Sequence, residues 1–287
     1  MKTLVASTER GTEIGERIRT IRAEYSLADE LMRKFIIASV LEPVASKKGC
    51  TTRYRDIKDS KRLEFFLTAG INSGFPIRRF VEYLLQRKEA GERTMLGSFR
   101  FLTEAVVMSK FNRRGGKINQ GILEPIFPLI AAQVLFFEEI RENPSLIFER
   151  ASFLLANTSW EDVLDLIEAK TVGNKVSGVE DKYPVRNHRV LTVLEYYSYE
   201  LEIELQEGKE TGILHNRQFV DGFRDIQEML QVMIESKRPR LLQKVEEAYR
   251  YVRKKHKGKI GVGLAADHSA VCLYLYISLV DHRECIT

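Results

Sequence analysis

Apolar residues recur at three- and four-residue spacing along almost the whole chain, and that one pattern excludes most architectures. Met32, Phe35, Ile36, Ser39 and Val40 form one stripe, Ile77, Phe80, Val81, Leu84 and Leu85 a second, and Leu96, Phe99, Val106 and Val107 continue it. A period near 3.6 belongs to a helix with one face on a core. Helix starts agree with it. Asn143-Pro144 is a good first turn, and Thr158-Ser-Trp-Glu161 has capping-box spacing, so a helix opens near Ser159. Further helices are expected over 189–206, 218–235, 239–257 and 266–281, while alternating strand patterns with hairpin signals do not occur. The expectation is an all-α fold: a single helical domain of roughly nine or ten helices spanning 1–287, with residues 1–28 set apart as an N-terminal extension.

Composition narrows the function. With 287 residues, 44% of them hydrophobic and 30% charged, the chain has the balance of a globular protein with a sizeable core. Apolar runs such as Val271–Val280 fall short of the roughly 20 residues that span a bilayer, and the N-terminus turns polar at once, so no membrane partner and no export signal are expected. Cys50, Cys272 and Cys285 form neither an even disulfide framework nor a C-x-x-C pair, which suits a reducing, cytoplasmic setting. The net charge of +5 is uneven: residues Ser236–Lys259 carry +8 and leave the remainder at −3. Such a cluster attracts anions, or is a solvated helix face.

Several familiar sites are excluded. Gly261-Val-Gly263-Leu-Ala-Ala266 has the form G-x-G-x-x-A, yet a basic helix rather than a strand precedes it, so the βαβ unit such a turn serves is missing. No phosphate loop, nucleophile elbow or H-E-x-x-H helix occurs. His188, His215, His256, His268 and His282 show no ligand spacing and read as surface or core-edge histidines, and Tyr196, Tyr197 and Tyr199 read as packing. Interest therefore falls on four breaks between helices, at 45–59, 113–121, 171–187 and 258–265, where backbone amides and charged groups can meet around a central cleft.

Four segments in order resemble the triphosphoribosyl-dephospho-CoA synthase family, especially its archaeal-type members. Leu41-Glu-Pro-Val-Ala-Ser-Lys-Lys-Gly-Cys-Thr-Thr-Arg53-Tyr-Arg-Asp56-Ile-Lys-Asp59 is similar to the family's L-E-V-x-x-P-K-P-G-N-V-x-R-Y-x-D-F-x-D, retaining Glu42, Lys47, Gly49, Arg53, Tyr54, Asp56 and Asp59. Ser46 and Lys48 stand where the family has prolines and Cys50 where it has asparagine, which leaves that loop freer and more positive. Gly115-Gly-Lys-Ile-Asn119-Gln-Gly121 is similar to the G-x-N-T-N-L-G turn, with Lys117 in place of its first asparagine. Thr158-Ser-Trp-Glu-Asp162-Val looks like T-x-V-E-D-A, and Gly261-Val-Gly263-Leu-Ala-Ala266-Asp267 occupies the place of N-P-G-x-x-A-D without its Asn-Pro pair. The likeness runs from about residue 30 to 282 and marks a divergent member.

The resemblance implies an all-α transferase that moves a 5-triphosphoribosyl unit from ATP to the ribose 2′-hydroxyl of 3′-dephospho-CoA, or to a related nucleotide or coenzyme acceptor, and releases adenine. Such chemistry asks for carboxylates at an oxocarbenium-like centre, for which Glu42, Asp56 and Asp267 are candidates. Asp56, Asp59 and Asp162 would hold Mg²⁺, and Lys47, Gly49, Arg53, Asn119, Gly121 and Gly263 would hold the nucleotide. Structural alternatives stand beside each role: a capping box for Glu161, a helix N-cap for Asp267, a solvated helix end for Glu42, and surface pairing with Lys58, Lys61 or Arg62 for Asp56 and Asp59. The rival functions are a catalytically silent nucleotide-binding homologue with a regulatory role and, ranked last, nucleic-acid binding through the +8 segment; a homo-oligomer is left open.

Overall fold

The structure is a computed structural model that describes residues 26–112, 118–174 and 192–280, and every described element is helical apart from a lone bridge between Thr52 and Arg55. In chain order the helices are α1 (Leu27–Leu41), α2 (Leu63–Asn72), α3 (Gly74–Glu89), α4 (Arg100–Ser109), α5 (Gln120–Leu135), α6 (Phe137–Glu142) and α7 (Leu146–Ala156). There follow α8 (Trp160–Asn174), α9 (Val193–Glu207), α10 (Glu210–Val220), α11 (Arg224–Glu235), α12 (Leu241–Lys255) and α13 (Val262–Leu279). A 3₁₀ turn, Glu42–Val44, extends α1. There are more helices than the nine or ten expected, because apolar stretches break at single points. The stretch from 63 to 89 divides at Ser73, whose hydroxyl back-bonds to Ala69, and α5 and α6 divide at Phe136.

Two helices form the axis of the fold. Nearly every residue of α5 is buried, and α13 is buried from Leu264 to Ile277 except at Ala266 and Asp267, and these two apolar helices pack on one another. A helix apolar on all sides belongs in an interior. At 18 residues α13 is long and apolar enough to cross a membrane by length and composition, which the shorter run Val271–Val280 did not suggest; 67% of that window is buried in the protein. Around the axis, α1, α3 and α4 pack on one side, α7 and α9 on another, and the α11–α12 hairpin against α13. Nearly all of the buried apolar residues described form one contiguous core cluster.

Capping chemistry fixes several ends and corrects two expectations. Ser26 caps α1 through a box with Asp29, and Ala28 is fully buried. The box at α8 is shifted by one residue: Ser159 and Asp162 exchange the two bonds, while Thr158 turns inward, donates to the Leu155 carbonyl and accepts from Val193 N–H. Segment 218–235 is not one helix. Its chain reverses at Gly222 and Phe223, both at positive φ (67° and 65°), and an additional helix, α10, precedes the break.

Much of the +8 segment is paired within the fold. Lys255 reaches Asp225 and Glu228 at 2.8 and 2.5 Å, Lys259 reaches Glu210 at 2.8 Å, and Lys244 bonds the Tyr276 hydroxyl. Asp225 is itself held at low pKa: burial opposes this, but the hydrogen bonds and charges of Lys255 and His256 outweigh it.

Candidate functional site

A cavity of about 490 Å³ lies where the N-termini of α5, α10 and α13 meet the 3₁₀ turn after α1. Its size is that of a small-molecule site, about 300–1,000 Å³. Ile118 to Ile122 line it from the start of α5, Thr211, Gly212 and His215 from α10, and Val262, Gly263, Asp267 and their neighbours from α13. Glu42, Pro43, Cys50, Thr51 and Lys61 close the remaining side. None of the three helices has a side-chain cap on its first turn. Their leading N–H groups therefore keep the affinity for an anion that a helix N-terminus supplies.

The first turn of α5 is the most unusual part of the wall. Asn119 holds a left-handed backbone (φ 64°) and is 4% exposed, yet its Nδ2 has no hydrogen-bond partner, and neither does the buried Oε1 of Gln120. Buried polar atoms are rarely left so in folded proteins. Pro125 adds to the irregularity, because it has no N–H to give to the Gly121 carbonyl one turn earlier. Gly121 faces Asp267 so closely that a Cβ there would stand 2.1 Å from Asp267 Oδ2. Two sequence-distant turns thus interlock at the cavity, and only glycine permits the approach.

Of the residues singled out in the sequence, Glu42, Asn119, Gly121, Gly263 and Asp267 share this cavity. Lys47 lies behind it. Its ammonium is fully buried, 2.9 Å from Glu42 Oε1, and bonds the Glu42 carbonyl, so it neutralises the carboxylate and does not line the cavity. Burial raises the Glu42 pKa, opposed by that ion pair. Glu42 is therefore no solvated helix end. Gly49, at φ 89°, packs its backbone on Val262 at the cavity edge, where a Cβ would meet Val262 Cγ1 at 3.0 Å. Asp267 is not an N-cap, because α13 begins five residues before it.

The remaining candidates lie elsewhere. Arg53 is exposed and stacks over Tyr54 at 4.7 Å. Asp56 accepts the Leu63 N–H at 2.8 Å and so anchors the start of α2, and Asp59 pairs with Arg62 at 3.2 Å. Asp162 is fully buried, with its oxygens on the Gly97 and Ser159 amides. The three aspartates expected to hold Mg²⁺ are thus engaged in separate structural tasks, and no group of three His, Cys, Asp or Glu suited to a metal occurs among the described residues. Gly115 and Lys117, like His188, His282 and Cys285, lie outside the described residues.

Sequence reasoning missed the polar floor. Glu124, 2% exposed, receives His215 Nε2 at 3.0 Å, the Tyr197 hydroxyl at 3.1 Å and Gln120 Nε2 at 2.8 Å. Tyr197 also stacks on Phe219 with ring centroids 3.7 Å apart, which is the packing role expected of it. His268, expected at a surface or core edge, is instead 1% exposed in the core. Compared with models of known families, with curated proteins and with solved structures, the chain matches none.

Proposed function

We propose that the cavity binds ATP and transfers its 5-triphosphoribosyl group, or a related phosphoribosyl group, to a hydroxyl of a nucleotide or coenzyme acceptor such as 3′-dephospho-CoA, with release of adenine. One observation carries the reading. Segments that resemble the synthase family at 41–51, 119–121 and 261–267 are far apart in the chain and line the same cavity, with the unpartnered Asn119 amide at its wall. Phosphates suit the three uncapped helix N-termini and Lys61 at the rim. The carboxylate of Asp267 suits the positive charge that develops on ribose C1 as its bond to adenine breaks, with Glu42 and its Lys47 cation beside it. Mg²⁺ has no step here, because the residues named for it do not meet.

A second reading, nucleotide binding without turnover, is favoured by the Glu42–Lys47 pair, which withdraws both groups from a reacting ligand. Purified protein incubated with ATP, Mg²⁺ and 3′-dephospho-CoA separates the two by chromatography of free adenine. The transferase releases adenine and loses that activity in D267N. ATP retained in equilibrium dialysis with no adenine from any acceptor leaves only the binder, and no retention ends both.

A further inference from the structure

The polar floor of the cavity holds a proton-transfer pair that none of the segments likened to the synthase family contains. His215 lies in the second turn of α10 and lines the cavity. Its side chain is 21% exposed, while that of its partner Glu124 on α5 is 2% exposed. Glu124 cannot slide away, because its carboxylate is tied to Tyr197 of α9 and to Gln120 one turn earlier on its own helix. Phe219 packs edge-on against the imidazole at 5.6 Å and limits its rotation. Among the described residues no group bonds Nδ1 of His215. A carboxylate that accepts from Nε2 fixes the proton there and leaves the Nδ1 lone pair as the acceptor. The same carboxylate stabilises the imidazolium once Nδ1 has taken a proton.

We infer that His215 is a catalytic residue of the cavity, the general base that receives a hydroxyl proton at Nδ1, and that Glu124 is its positioning residue. The role rests on the glycosyl-transfer reading above and adds the proton path it lacks. As the acceptor oxygen forms its bond to C1 of the ribose, its O–H bond breaks and the proton goes to Nδ1. The electron pair of the C1–N bond leaves with adenine, which takes a proton from water. The imidazolium then gives its proton to the hydroxide so formed, and His215 returns to its neutral state.

Two measurements test this separately from the substrate. In ¹⁵N-histidine-labelled protein, a two-bond ¹H–¹⁵N correlation spectrum, assigned by the signals missing from H215Q, is expected to show the Nε2–H tautomer for His215. An Nδ1–H tautomer overturns the proposal whether or not the protein turns over. In E124Q, whose amide can present either nitrogen or oxygen, both tautomers are expected; a spectrum still wholly Nε2–H removes Glu124 from its role. Turnover supplies the second arm. H215A is expected to release adenine about 10²–10⁴-fold more slowly with ATP affinity within about twofold of wild type, and added imidazole to restore part of the rate. Unchanged turnover in H215A refutes the base. Absence of adenine release from the wild-type protein instead refutes the transferase reading, and the tautomer spectrum then decides His215 alone.

Discussion

Acidification should destabilise this protein through one side chain, His268. It lies on α13 at 1% exposure, and its Nδ1 has no partner. Burial is the main cause that lowers its pKa from 6.5 to about 3; the charge of Asp225 opposes this, and His215 and His256 add to it. In the unfolded chain the same imidazole takes a proton near its ordinary pKa. Between those two values the unfolded state binds one more proton than the native state, so stability is full above pH 6.5 and falls with each unit of acidification until about pH 3. At about 1.4 kcal/mol per unit, a drop from pH 7 to pH 5 removes about 2 kcal/mol. Urea unfolding of wild type and H268Q at both pH values isolates the term, since every other titrating group contributes to both proteins. Wild type should lose about 2 kcal/mol more than H268Q. Parallel losses would refute the claim that a neutral, desolvated histidine sits in this core.

Three further outcomes follow from the cavity wall. Lys47→Met leaves the buried Glu42 carboxylate without its cation and should cost about 3–5 kcal/mol in urea unfolding at pH 8. With its folded pKa already raised, Glu42 accepts a proton on acidification, so the deficit should shrink at pH 5; a deficit that grows there would contradict the burial argument. Asn119→Gly removes the unpartnered amide but suits the left-handed backbone, so stability should stay within about 1 kcal/mol while ATP retention in dialysis falls. Gly121→Ala forces a Cβ onto Asp267 Oδ2 and should cost about 1–3 kcal/mol, with a shift of the Asp267 side chain visible in a crystal structure of the variant.

Fold class was legible because helical periodicity is a local property, and Phe35, Ile77, Phe80, Val81 and Leu84 all reach the core as their spacing required. Helix number was not. Whether α2 and α3 continue through Ser73, or α5 and α6 through Phe136, depends on tertiary packing that no short window contains. The helix at Glu210–Val220 did leave a signal, for Gly208 and Gly222 bracket it and both adopt positive φ. Missing α10 meant missing His215. Its partner Glu124 lies 91 residues away, in a helix whose prolines and unbroken apolar run read only as core. The places of Asp56 and Asp162 were hidden for the opposite reason: a carboxylate near a helix start bonds backbone amides as readily as it holds a metal, and both accept from such amides in the structure.

The distribution of charge around the cavity bears on which chemistry it favours. A site that only retained a triphosphate would do best with lysines and arginines pointing inward, yet among the described lining residues Lys61 is the single such cation, and it is exposed. Lys47, five residues after Glu42 in the chain, is turned onto it. What surrounds the space instead is Asp267, Glu42 with its charge paired to Lys47 and, one layer beneath, Glu124, facing three helix starts with uncapped amides. Amide dipoles attract phosphate oxygens without adding a mobile positive charge, and carboxylates repel them. A ligand that satisfies both must place its phosphates at the helix ends and something electron-poor against the acids. Ground-state ATP offers no such cationic centre, whereas a ribose losing its base does, so under the proposed transferase reading the arrangement would favour the departing state over the bound one. That difference, rather than tight binding, is what accelerates a reaction.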